Sequence, residues 1–235
     1  MVLSSLAVGK EGRFKLRELY PQEKVAKVLL AREQWRPWPK GSEREPWEAL
    51  PAPMRKDLIA NGEQHLGSQW PTLPATLFLE YARNGNRSRY EREHFARRNA
   101  LTDLIVAECV EGEGRFLDDI ANLVWAICEE SFWGVSAHIG AQKAGSGLPD
   151  PAEFIVDLFA AETGESLAWT YYLLGERLDR VSPMLRKRIG HEIDRRILTP
   201  CLERDDFGWM GFKGGRVNNW NPWCNSNWLA CTLLV

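Results

Sequence analysis

The chain has 235 residues, 44% hydrophobic and 26% charged, with a formal net charge of −2. That suits a folded chain with one large core or two small ones, and the near-neutral balance argues against a dedicated nucleic-acid binder, which carries a basic excess. No stretch reaches the length of a membrane span, and residues 1–15 lack the basic start and long apolar run of a signal peptide, so a cytoplasmic location is the default expectation.

In chain order the pattern reads helix after helix. Residues 1–37 form an N-terminal extension with a short helix over 22–35, and 38–235 the main domain. Trp35-Arg36-Pro37-Trp38-Pro39 breaks the first helix, because proline ends helices and restricts its predecessor. A helix over 46–61 follows, with Pro46 in its first turn. Trp70-Pro71-Thr72-Leu73-Pro74 is a rigid corner before a short helix through Arg83. Residues 86–110 place Leu101, Leu104, Ile105 and Cys109 on one helical face. Gly112 and Gly114 stop that helix. Residues 116–131 repeat the pattern with Ile120, Leu123, Val124 and Ile127. A Gly/Pro/Ser-rich loop spans 141–151.

A helix over 151–162 then turns Ile155, Leu158 and Phe159 inward. Leu167, Thr170, Tyr171, Leu174 and Leu178 mark the next one. Ser182-Pro183 reads as an N-cap with proline behind it. It opens a helix whose buried ladder is Leu185, Ile189, Ile193 and Ile197, and Thr199-Pro200 ends or bends it. Nothing before residue 205 alternates with period two, so no strand is predicted. Short turns make neighbouring helices antiparallel, either as a compact bundle or as a ring of hairpins around a cleft. No fixed-period repeat is present, which disfavours a solenoid.

The chemistry concentrates near the end of the sequence. Residues 208–228 hold four Trp and five Asn. Asn offers an uncharged amide with two donors and an acceptor, and Trp a flat face with one N–H. That combination suits a site that holds a sugar and donates to a carboxylate on it. The five cysteines, Cys109, Cys128, Cys201, Cys224 and Cys231, are odd in number and widely spaced. That argues against a disulfide framework or a zinc site, and Cys109 and Cys128 read as small core residues. The four histidines are scattered without metal-ligand spacing, so no metal or cofactor is expected.

Four segments carry a resemblance. Trp125-Ala126-Ile127-Cys128-Glu129-Glu130-Ser131-Phe132-Trp133, Asp157-Leu158-Phe159-Ala160-Ala161-Glu162-Thr163-Gly164, Trp169-Thr170-Tyr171-Tyr172-Leu173-Leu174-Gly175 and the Asn-Asn-Trp-Asn-Pro-Trp loop at 218–223 resemble the N-terminal domain of the heparinase II/III-like family. The similarity runs from about Trp38 to Val235. It implies an all-α fold, an incomplete (α/α) toroid of antiparallel helical hairpins, followed in full-length members by β-sheet domains. It implies β-elimination on an acidic (uronic-acid) polysaccharide or oligosaccharide. Elimination removes the C5 proton of a uronate. A hydrogen-bond donor on the neighbouring carboxylate stabilises the enolate-like charge, and a base and an acid handle the protons.

The resemblance gives the carboxylate-neutralising role to Asn219. Where related lyases carry His next, this chain has Trp220, which leaves a stacking role for that ring. It places the catalytic Tyr and a further His beyond Val235, so the chain is expected to be inactive alone. Apolar residues such as Leu229, Leu233 and Leu234 are then expected at an exposed edge that favours self-association. A glycoside hydrolase on a similar toroid and a non-catalytic carbohydrate-binding fragment are the alternatives.

Each candidate has a plainer reading beside the functional one. Asn219 either binds substrate or caps the helix near Pro222, and Asn221 is well placed as that cap. Trp223 joins Trp220 as a stacking candidate. Glu130 orients sugar hydroxyls or positions an Arg, or faces solvent. Glu129 and Glu130 point about 100° apart on a helix and cannot form a facing acid/base pair. His138 is a loop ligand or a structural histidine, and Trp133 a core lid or a sugar platform. The run Arg83, Arg87, Arg89, Arg92, Arg97 and Arg98 is interleaved with Glu91 and Glu93, which favours a solvated face. Gly214-Gly215 lacks a phosphate-loop ending and reads as a hinge.

Overall fold

The structure is a computed structural model that describes residues 18–31, 34–212 and 216–235. The start of the chain, 1–15, and the Gly214-Gly215 hinge lie outside the described residues. Within the described residues all regular structure is helical. In order come α1 (Gln22–Val25), α2 (Arg44–Glu48), α3 (Ala52–Glu63), α4 (Ala75–Phe78), α5 (Glu80–Asn84), α6 (Ser88–Glu111) and α7 (Leu117–Glu129). They are followed by α8 (Leu158–Val181), α9 (Pro183–Ile193), α10 (Thr199–Glu203) and α11 (Trp220–Leu234). No helix among these residues is long and apolar enough to cross a membrane.

Three boundaries depart from the sequence reading, each for a local reason. The helix predicted over 22–35 shrinks to α1. The helix predicted over 46–61 is split into α2 and α3, because Pro51 has no N–H to continue the ladder and becomes the N-cap of α3. The two helices predicted over 151–178 are one. Asp157 caps α8 by accepting from the Ala160 N–H at 2.7 Å, so the residues before it stay outside the helix. Gly164 does not break α8. A Cβ there would stand 2.8 Å from Ile197 and 3.2 Å from the Cys231 sulfur, so the glycine lets three helices meet closely.

Close contacts fix the helix directions. Gly62 meets Ala107, and His65 bonds Asp103 at 3.1 Å, so α3 runs antiparallel to α6. Glu108 reaches the Phe116 N–H at one end of α7 while Arg98 meets Glu130 at the other, so α7 is antiparallel to α6 too. Arg98 contacts Thr163 and Glu108 contacts Arg177, which makes α6 and α8 parallel. Gly175 packs on Arg186 and Gly164 on Ile197, so α9 descends against α8. Glu162 shares a groove with Asn219, and Tyr171 shares one with Leu234, so α11 is parallel to α8. Thus α6, α8 and α11 run one way, and α3, α7 and α9 run the other.

The predicted stripes form the core. Leu101, Leu104, Ile120, Leu123, Ile127, Leu167, Leu174, Leu178 and Ile189 are fully buried, each worth roughly 1.5–3 kcal/mol against exposure. All five cysteines are buried and free. Burial pushes the Cys109 and Cys128 thiols up to about 12, which keeps them unreactive. Ser182 caps α9 by accepting from Met184 at 3.3 Å. The ladder continues through Cys201, across a π turn at Asp194–Leu198 where the Thr199 N–H reaches back to Asp194. Pro200 is the cause we assign: it has no N–H, and its ring crowds the carbonyl one turn earlier.

Where α6 ends and α7 begins, buried Glu108 lies 2.6 Å from Arg177 and accepts from the Gly114 N–H. Arg44 donates to the carbonyls of Cys109, Val110 and Glu111 at 2.6, 2.7 and 3.1 Å. Those carbonyls close α6 and have no intrahelical partner of their own. On α11, Leu229 and Leu233 are exposed as expected, but Leu234 is buried in the core.

Candidate functional site

The N-terminal ends of the parallel helices α6, α8 and α11 gather at one end of the molecule. Asp157 organises this end. One carboxylate oxygen caps α8, and the other takes a 2.6 Å hydrogen bond from Nδ1 of His138, which the 3-10 turn Ser136–Ala141 carries. Close approach is possible because residue 134 is glycine; a Cβ there would stand 2.6 Å from both Asp157 oxygens. With Nδ1 committed to Asp157, the imidazole presents Nε2, which has no protein partner among the described residues.

His138 lies within a row of rings. It stacks on Phe159 at 5.5 Å and 3°, and meets Trp220 at 4.5 Å. The row continues from Phe159 to Phe95 at 4.9 Å, to His94 at 5.2 Å, to Tyr90 at 5.8 Å and to Phe78 at 4.9 Å. Phe95, Phe159, His138 and Trp220 are all partly open to solvent. His94 is fully buried, and among the described residues neither ring nitrogen has a partner. Burial, then the charges of Arg98 and Arg97, hold it well below the ordinary histidine range, so it is neutral.

Beside Trp220 a groove of about 580 Å³ is lined by Glu162, Glu165, Asn219, Pro222, Trp223, Ser226 and Asn227. Trp223 is 43% exposed and offers a face to it. Burial raises the Glu162 carboxyl, and the Glu165 charge raises it further. Burial raises Glu165 as well, against the 2.7 Å hydrogen bond it accepts from Trp169. An aromatic face with amides, a hydroxyl and carboxyls around it can hold a sugar ring and its hydroxyls.

The structure brings Asn219, Trp220, Trp223 and His138 together. It corrects two other candidates. Trp133 is 1% exposed, donates to the Ile127 carbonyl and lies under Arg196, so it has no open face for a sugar and is core. Glu130 is buried with both oxygens taken: Arg97 binds one at 2.9 Å, and Arg98 binds both at 2.8 and 2.5 Å. It positions arginines and is not an open cleft carboxylate. Arg98 therefore does not belong to a solvated face, whereas Arg87, Arg89 and Arg92 pair with Glu91, Glu80 and Glu93 at the surface.

Asn221 is not the cap of α11. It lies in the first turn and donates to the Trp209 carbonyl at 2.8 Å, tying the loop to the helix. Asn219 takes the cap position with no side-chain cap bond, so its amide is left for the groove. Sequence reasoning passed over Tyr90, His94, Asp157 and Glu162. Only Asp157 had a local signal, an Asp ahead of an apolar helical run. Among the described residues no three His, Cys, Asp or Glu converge on a metal-sized site. No protein-family model matches the chain, and no curated protein matches it.

Proposed function

We propose that this end of the molecule binds an acidic sugar chain and promotes β-elimination on it, on helices that form part of an (α/α) toroid. The observation that carries this reading is the Asp157-held His138, standing against Trp220 and one residue from the uncapped amide of Asn219. The alternating helix directions are those that successive hairpins of such a ring require. Three helix N-termini at one end favour a bound anion.

In this reading Trp223 and Trp220 stack on sugar rings, and Asn219 donates to the uronate carboxylate. His138 Nε2, rather than a group beyond Val235, takes the C5 proton, so this reading makes the chain active where the resemblance implies inactivity. The electron pair left on C5 forms the C4=C5 double bond as the C4–O bond breaks, and the leaving oxygen takes the proton from His138. Asp157 holds the imidazole tautomer and stabilises its cation. Burial raises the carboxyls of Glu162 and Glu165, which makes them easier to neutralise beside a uronate than ordinary carboxyls.

Titration calorimetry with oligouronates, together with ultraviolet absorbance of the unsaturated product, tests the reading. Binding that Trp223→Ala removes, with absorbance growth that His138→Gln removes, is expected. Absence of binding to every uronate overturns it. One observation favours glycoside hydrolysis as a second reading, namely the two raised carboxyls in one groove. They lie three residues apart on one helix, whereas hydrolysis needs carboxyls on either side of the bond. Saturated products alone would favour it.

A further inference from the structure

A second cavity, of about 430 Å³, lies where the ring row ends. Its lining includes Phe78, Tyr90 and Phe132, together with Leu148 and Pro149 of the loop before α8. Tyr90 is 4% exposed, and among the described residues its hydroxyl bonds no protein group and is not one of the fully buried unpartnered atoms. Burial, then the Glu130 charge, push the phenol well above its ordinary value, so it stays a donor. The residue lines the cavity, and its hydroxyl, bonded to no protein group, is available there to a bound hydrogen-bond acceptor.

Arg97 lines the same cavity. Its guanidinium spends N–H groups on the Pro71 carbonyl, at 2.8 and 2.6 Å, and on Glu130, at 2.9 Å. That leaves two of its five N–H groups. Glu129 and Ser131 stand at the rim. The loop above is pinned, because Gln142 is buried and donates to the carbonyls of Asp150 and Glu153 while accepting from the Asp150 N–H. The cavity is therefore preformed.

We propose that this cavity is a second sugar subsite, taking a pyranose unit of the same chain that Trp223 holds, with the Tyr90 hydroxyl and the spare Arg97 N–H groups donating to its oxygens. Leu148, 48% exposed, offers apolar surface to one side of a pyranose, and the donors suit its ring and hydroxyl oxygens. The ring row joins the two cavities through successive contacts, with Trp220, His138, Phe159 and Phe95 partly open to solvent and His94 and Tyr90 buried at the far end. The inference rests on the acidic-sugar reading.

Tyr90→Phe tests it cleanly. The substitution removes a hydroxyl that bonds no described protein group, so it leaves folding unharmed, with a melting temperature equal to the parent's. Calorimetric titration with a hexauronate is expected to give about five- to tenfold weaker binding for Tyr90→Phe, the loss of about one hydrogen bond. A monouronate, which Trp223 alone can hold, is expected to bind both proteins equally. Saturation-transfer NMR of the hexamer is expected to show contact with the Phe78 and Phe132 rings. Equal hexamer affinity for parent and variant, while Trp223→Ala still abolishes binding, overturns the second subsite and leaves the wider reading standing. No binding of either uronate overturns both. Hexamer binding that Arg97→Gln leaves unchanged while Tyr90→Phe weakens it overturns the role given to Arg97.

Discussion

The two ends of α6 make opposite use of buried polar groups. At its C-terminal end Glu108 is matched by Arg177, and the closing carbonyls are taken by Arg44. At its N-terminal end, among the described residues, both buried nitrogens of His94 have no partner, the Tyr90 hydroxyl bonds no protein group, and nearby His138 has one nitrogen uncommitted. Both ends are buried and rich in polar groups, so burial alone does not distinguish them. Access does: at the first end an ion pair and carbonyl contacts hold the fold together, and at the second Tyr90 lines a cavity and His138 is partly open to solvent.

The sharpest way to break this contrast is His138→Gln. Elimination is expected to fall about 10²–10⁴-fold in absorbance assays, with little change in melting temperature. A large loss of stability with activity retained would make His138 a structural residue. Arg177→Met at the opposite end should do the reverse. It strands the buried Glu108 carboxylate and is expected to cost about 3–5 kcal/mol in denaturant unfolding, with uronate affinity per folded molecule unchanged.

His94→Phe sharpens the contrast. It removes two unpaired buried nitrogens and is expected to stabilise the fold by about 1–3 kcal/mol, less any strain from the larger ring. The pH dependence has a definite sign. His94 is held well below its ordinary value in the fold, so the unfolded chain binds its proton first. Its share of stability is present above the unfolded value, about 6.5, and is lost as pH falls below it. Melting followed from pH 7.5 to 5.5 should therefore fall less steeply in His94→Phe than in the parent.

The smallest effect belongs to Glu162→Gln. A raised carboxyl destabilises the fold once ionised, so the fold is favoured as pH drops toward that value. The variant should melt about 1–2 °C higher at neutral pH, and the difference should close on acidification. A lower melting temperature at pH 7 would show that the Glu162 charge is held by favourable contacts.

Much of the architecture was readable from periodicity. The faces of α6 and α7 and the ladder from Leu185 to Ile197 are buried as the spacing predicts. Boundaries failed where one residue has two possible jobs. The break expected between residues 162 and 167 is absent, and Gly164 there serves as a contact between helices, which depends on Ile197 and Cys231 far along the chain. The site was legible only at its C-terminal part, where Asn219, Trp220 and Trp223 cluster in sequence. Trp133 and Glu130 looked equally suitable, because nothing local reveals that Arg196 covers one and that Arg97 and Arg98 occupy the other. Tyr90 and His94 gain their meaning only when α8 and the 3-10 turn bring other rings alongside.

The π turn at Asp194–Leu198 has a consequence for tolerance to sequence change. Leu185, Ile189, Ile193, Ile197 and Cys201 recur every four residues and are all buried, although a regular helix would rotate each rung about 40° past the last. The wider turn takes up part of that drift, as a spare link takes up slack in a chain. Deleting one residue elsewhere between 183 and 203 would swing every later rung by about 100°. A shortening within the turn gives up a residue already in surplus, so natural length variation in this helix is most easily accommodated there.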